Sequence, residues 1–267
     1  VALRGELRLT IRSEQGRTRV AGAYCAGPLK VIRPFELPEG RVVLQVLHVG
    51  PGLLGGDELE VQVHVGPGAK AVLVSQSATK VLRTDRGDGA RQRVVLTVQD
   101  GAELEYYPGL VIPFAGASYR QVLDVRLEGA ARVGMLEVVA LGRTARGEAS
   151  AFRSLSSRLR VWHEGQLVFG DALELTPNLR DPRARGLLET HRYVGSGYWR
   201  WGDVPEAMVV RSDLLLACGR TGYGDVYVKG VAADGERLRE AVRELVGGWR
   251  DWCGAAPSYG RLPVPHG

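Results

Sequence analysis

The residues with chemistry to offer in this chain are its carboxylates. Asp57 and Glu58 follow directly on a loop in which Gly50, Gly52, Gly55 and Gly56 surround Pro51, a combination that shapes a fixed turn rather than a helix or strand interior. Glu103 and Glu105 share one face of a strand, and Glu137, Glu148 and Asp171 come later. Such groups attract cations, or act as the acid and base of a glycoside hydrolase. Other ligand types are sparse. His48, His64, His163, His191 and His266 never pair at two- to four-residue spacing, so no tight preformed metal cage is expected of them. Cys25, Cys218 and Cys253 form no Cys-x-x-Cys pair, which argues against a thiolate zinc site or a disulfide framework and for a reducing cytoplasm. Phosphate-loop, dinucleotide-binding, His-Glu-x-x-His and nucleophile-elbow signatures are missing, so the chain is not expected to hydrolyse nucleotides itself.

The elements that must position these groups are strands. From Asp57 onward Leu59, Val61, Val63 and Val65 alternate with Glu58, Glu60, Gln62 and His64, the period of a half-buried strand. Strand patterns also cover 3–11, 42–49, 72–75, 94–98, 122–127, 135–141 and 159–163. A strand, a Gly-Ala turn and a second strand recur at Gly68-Ala69, Gly101-Ala102 and Gly129-Ala130, about thirty residues apart, with Gly165 as a weaker fourth copy. Repeats of that length stack into a common core, so the expected fold is all-β and β-helix-like, with a two-sheet sandwich as the alternative. Same-face carboxylates from successive coils then approach one another. The aromatic, turn-rich stretch 193–201 reads as a cap on the β core. Helical periodicity is confined to Leu238, Val242, Leu245, Trp249 and Trp252, which predicts one amphipathic helix over 235–253. A Pro- and Gly-rich tail over 254–267 is expected to be flexible, and the chain reads as a single domain over 1–267.

At 267 residues and 45% hydrophobic, the chain is long enough to bury a core without staples. Its net charge of +5 comes from 35 basic residues interleaved with 30 acidic ones, the pattern of a solvated mixed surface rather than a nucleic-acid face. No apolar run is long enough to span a bilayer and no leader pattern opens the sequence, so a soluble cytoplasmic protein is expected.

Four stretches, taken in order, carry a family likeness. They are the Gly50–Arg83 segment with Asp57-Glu58 and Thr79-Lys80, the 100–106 turn and strand, the 112–117 Ile-Pro-Phe-Ala-Gly-Ala loop, and 140–148. Together they resemble the urease accessory protein family UreD, also called UreH, strongly over about residues 20–175. The resemblance implies a non-catalytic maturation factor that binds apo-urease and the helical protein UreF, and through it the GTPase UreG, with no tightly bound cofactor and Ni(II) only in transit. It further implies that Asp57 and Glu58 serve a nickel pathway, supported by Thr79 and Lys80. Lys80 cannot ligate a cation while protonated, so its expected part is to pair with and orient a carboxylate. Sparse oxygen ligands along a hydrated path suit delivery, because a histidine or cysteine cage would hold Ni(II) too long. The competing expectation is a carbohydrate-active β-helix enzyme using paired carboxylates.

Overall fold

The structure, a computed structural model, describes residues 2–85, 88–184, 187–201 and 206–246. Strands β1 (Arg4–Glu14) and β2 (Arg17–Ala26) form a hairpin, and the short β3 (Leu29–Val31) and β4 (Phe35–Leu37) lead into β5 (Arg41–His48). The chain then winds. One coil comprises β6 (Glu58–Val65), β7 (Lys70–Ser75) and β8 (Thr79–Val81); the next comprises β9 (Ala90–Val98), β10 (Glu103–Tyr107) and β11 (Leu110–Pro113). A third holds β12 (Ser118–Leu127) and β13 (Arg132–Ala140), followed by the two-residue strands β14 (Gly142–Arg143) and β15 (Glu148–Ala149). After β16 (Ser154–His163) and β17 (Gln166–Leu175) come β18 (Tyr193–Trp199), β19 (Ala207–Arg211), β20 (Leu214–Arg220), β21 (Val226–Ala232) and the helix α1 (Gly235–Val246).

Equivalent strands of successive coils pair in parallel. One sheet stacks β1, β6, β9, β12 and β16; the other stacks β5, β7, β10 and β13; β8 and β11 form a short third side ending on β13. This is the stacked, β-helix-like arrangement expected from the repeat, not a sandwich of antiparallel sheets. Antiparallel strands finish it: β2 on β1, β17 on β16, and β18, β21, β20 and β19 continuing outward from β13. The alternation dictates the core. Leu59, Val61, Val63 and Val65 point inward with Val94, Leu96, Leu123 and Val125, against Leu73, Leu104 and Val133 from the facing sheet.

The turns between sheets explain the Gly-Ala repeat and correct it. Ala69, Ala102 and Ala131 each donate a backbone hydrogen bond to the carbonyl three residues earlier and stack as fully buried methyl groups. In the third copy the Gly-Ala pair lies one residue early, so Ala131 rather than Ala130 takes the stacked position. The fourth copy is not a coil. Glu164 and Gly165 both have positive φ, 49° and 78°, the twist of a two-residue hairpin that folds β17 back beside β16 in the same sheet. Because Ala102 lies under a turn with another coil on each side, Ala102→Leu is expected to cost about 1–3 kcal/mol, read as a lower denaturation midpoint in urea.

Helix α1 opens on Asp234, whose Oδ1 accepts from the backbone N–H of Glu236 at 2.9 Å and of Arg237 at 3.0 Å. Leu238 and Val242 are buried beneath β18, β20 and β21, as the periodicity predicts. Trp249, Trp252 and Cys253, with the rest of the expected helix and the 254–267 tail including His266, lie outside the described residues.

Candidate functional site

The glycine loop is held on the third side of the coil. Leu53 N–H donates to the Lys80 carbonyl at 2.8 Å, and Leu82 N–H donates to the Leu53 carbonyl at 2.7 Å, so the loop clips onto β8. Gly52 has to be glycine there. Its φ is 143°, and a Cβ would stand 2.6 Å from the Lys80 oxygen. The loop delivers Asp57 into the interior, where Oδ1 accepts from Leu3 N–H and Oδ2 from Leu54 N–H, both at 2.8 Å. With 4% exposure and both oxygens engaged by the backbone, Asp57 ties the first strand to the loop. Glu58 points the other way, onto the outer face of the parallel sheet beside Arg4 at 3.6 Å and Arg91 at 4.0 Å.

The pair that is adjacent in sequence is therefore split between the inside and the outside of one strand. Thr79 and Lys80 lie close to the loop, and Lys80 is exposed and makes no ion pair with any described residue. The expected carboxylate pairing of Lys80 is not seen, because Asp57 is engaged by amides and Glu58 belongs to the opposite sheet. Glu103 and Glu105 do share a strand face, but it is the face away from the core. Arg41 reaches both, at 2.7 and 3.3 Å, while Arg132 also pairs with Glu103 and the Tyr107 hydroxyl donates to Glu105 at 2.9 Å. Glu148 pairs with Arg143, whose guanidinium lies 4.3 Å over the Phe114 ring. Those contacts hold adjoining coils together.

What the sequence reading did not pick out is a line of polar side chains between the sheets. It begins at a cavity of about 50 Å³ lined by His48, Ser75, Ser77, Thr79, Lys80, Gln92 and Tyr106 among apolar side chains. From there the Tyr119 hydroxyl lies 2.9 Å from the carbonyl oxygens of both Gln92 and Gln121, with one proton to share between them. The Gln121 amide donates to Glu137, and the Ser157 hydroxyl donates to the other Glu137 oxygen at 2.7 Å. Beyond Glu137 stand Asp171 and Lys229, 2.5 Å apart, and Lys229 donates to Ser196 at 2.8 Å. Glu137 on β13 and Asp171 on β17 approach each other from opposite sheets, not as the same-face carboxylates of successive coils that stacking was expected to bring together.

Electrostatics along the line follow from burial. The Glu137 carboxyl titrates above its usual range because it is desolvated, an effect that the hydrogen bonds from Ser157 and Gln121 and the Lys229 charge partly offset. Burial and the nearby Glu137 charge also push the Tyr106 and Tyr119 hydroxyls up, so both stay protonated donors. His48 is shifted down by burial, with Asp57 acting in the opposite sense. The arrangement offers oxygens and hydroxyls spaced along an axis. Among the described residues no cluster of three or more His, Cys, Asp or Glu side chains gathers as a metal cage.

Two comparisons bear on what such an interior serves. Residues 3–263 match the family model described as UreD urease accessory protein. Relatives include urease accessory protein UreD 1 of Synechococcus sp. (strain JA-3-3Ab), 41% identical over 85% of this chain and 84% of that protein. UreD of Deinococcus radiodurans is 36% identical over 95% and 92% of the two chains, and UreH of Helicobacter hepaticus 34% over 88% and 94%. The chain belongs to the UreD family of urease accessory proteins. The stretches that suggested UreD membership are neighbours in space: the glycine loop packs on β8, Phe114 N–H donates to the Val81 carbonyl at 2.8 Å, and Arg143 covers Phe114. Three of the four stretches thus meet on the third side of the coil, next to the His48 cavity, while the 100–106 turn and strand leads into β10 of the main sheet. Among the described residues no helix is long and apolar enough to cross a membrane.

Proposed function

We propose that this chain is a non-catalytic urease maturation factor of the cytoplasm, one that binds apo-urease and UreF, engages the GTPase UreG through UreF, and conducts Ni(II) to urease during GTP hydrolysis. The observation that carries the conduction is Glu137. A partly buried carboxylate is kept between two sheets, at some cost in desolvation, with hydroxyl and amide groups leading to it on one side and Asp171 on the other. Oxygen ligands met one at a time attract a cation and release it, which delivery requires and storage does not.

The expected pathway pair divides accordingly. Asp57 contributes a fixed negative charge beside the entrance cavity, while Glu58 is an outer-face residue that a cation meets before entry. Thr79 lines the cavity. Glu103 and Glu105, which the glycosidase alternative needs as acid and base, are committed to Arg41 and Arg132. The test is a pull-down of the tagged chain from cells co-expressing the urease subunits and accessory proteins, with captured proteins identified by mass. Recovery of UreF and apo-urease is expected; a folded chain that captures neither overturns the reading.

A further inference from the structure

His48 has no place in any role assigned so far, yet its surroundings are specific. It ends β5, lines the 50 Å³ cavity, and its Nε2 is buried with no hydrogen-bond partner. The residue's own backbone favours a proton on the ring, against the effect of burial. In the tautomer with its proton on Nδ1, the neutral ring presents the Nε2 lone pair to the cavity. A buried acceptor left without a donor costs about 1–3 kcal/mol, which a bound partner would recover. Burial works against the imidazolium, and the neutral ring is the ligating form. The cavity admits one small ion or water, and Ser75, Ser77, Thr79 and Tyr106 bring hydroxyl groups to its wall. Asp57 acts on His48 electrostatically and favours a cation there, while Lys80, whose exposed side chain also lines the cavity, acts in the opposite sense.

We propose that His48 Nε2, with hydroxyl oxygens of the cavity wall, is a weak binding site for a divalent d-block cation at the head of the interior polar line. This deepens the reading of the chain as a nickel conductor and rests on it. A single imidazole with oxygen ligands suits a borderline-soft ion such as Ni(II), and having one nitrogen only keeps exchange fast. The ion would pass from His48 toward Gln92, which lines the same cavity and begins the run to Glu137.

The test uses the purified full chain with nickel sulfate alone. Histidine-labelled protein is followed by NMR, in which paramagnetic Ni(II) broadens nearby imidazole signals. The expected result is that substoichiometric nickel broadens His48 ahead of the outer-face His64 and of His163. In His48→Gln the nickel affinity is expected to fall about tenfold. Uniform broadening of all histidines, or affinity within about twofold of wild type in a folded His48→Gln chain, overturns the proposal. The wild-type NMR result stands even if the variant does not fold. Failure here with normal urease activation by the wild-type chain removes the His48 site and leaves the conduction reading intact, whereas failure of wild-type activation removes the reading itself.

Discussion

Glu137→Gln is expected to lower nickel-dependent urease activation about tenfold or more while leaving the chain at least as stable as wild type near neutral pH. The two halves of that result come from the same physics. Glutamine keeps the volume, and its oxygen accepts from Gln121 while its NH2 donates to the Ser157 hydroxyl, which turns to accept, but it cannot offer a charged ligand to a passing cation. The stability sign follows from the raised carboxyl. Below the ordinary glutamate range, about 4.3, the group is protonated folded or unfolded, and its contribution is fully present. As pH rises from there through the elevated folded value, the unfolded chain ionises first, and wild type loses stability that the glutamine variant does not. Thermal melts across pH check this: the variant's advantage should grow with pH over that window. Activation lost together with stability would instead mark Glu137 as a structural residue.

The second large effect separates two adjacent residues. Asp57→Ala is expected to cost about 3 kcal/mol, because it leaves the Leu3 and Leu54 amides of a buried junction without their charged acceptor. Glu58→Ala, which removes one exposed carboxylate between Arg4 and Arg91, is expected to change stability by less than about 0.5 kcal/mol. Urea denaturation of both variants measures the contrast. Equal effects would mean that Asp57 is not the tie between β1 and the glycine loop. The contrast also bears on charge reversal at both positions: Asp57→Lys buries an unpaired ammonium and unfolds the junction, so pathway tests belong on Glu58 and Glu137.

Much of this architecture is legible in the sequence because a β-coil repeats its own constraints. The alternation from Leu59 to Val65 marks the inward face, the alanines at 69 and 102 mark the turns, and Leu238 and Val242 mark the buried stripe of α1. Three things are hidden. The turn at Glu164-Gly165 looks like a coil turn in sequence, and only its two positive φ angles show the reversal. Strand β18 reads as a turn-rich cap because glycine breaks its pattern, and glycine does the same in β21; Gly195 and Gly230 lie under Leu238, where a Cβ would come within 3 Å of that side chain. The polar line escapes notice because most of its members are neutral. Tyr119 and Gln121 occupy the same strand phase as Leu123, Val125 and Leu127, and a glutamine in phase with an apolar stripe is the available signal. Adjacency also misleads. Asp57 and Glu58 read as one acidic pair, although period-two geometry requires neighbours on a strand to face opposite ways.

The most direct measurement is the nickel content of urease purified from cells carrying either the wild-type chain or a plugged one, Gln121→Leu with Ser157→Leu, which replaces the approach to Glu137 by hydrocarbon. With an outer-face Arg93→Ala chain as control, the expected result is urease that assembles with the plugged chain and UreF but contains little nickel, while the control loads normally. Normal nickel loading by a folded, complex-forming plugged chain would show that the ion does not travel between the sheets.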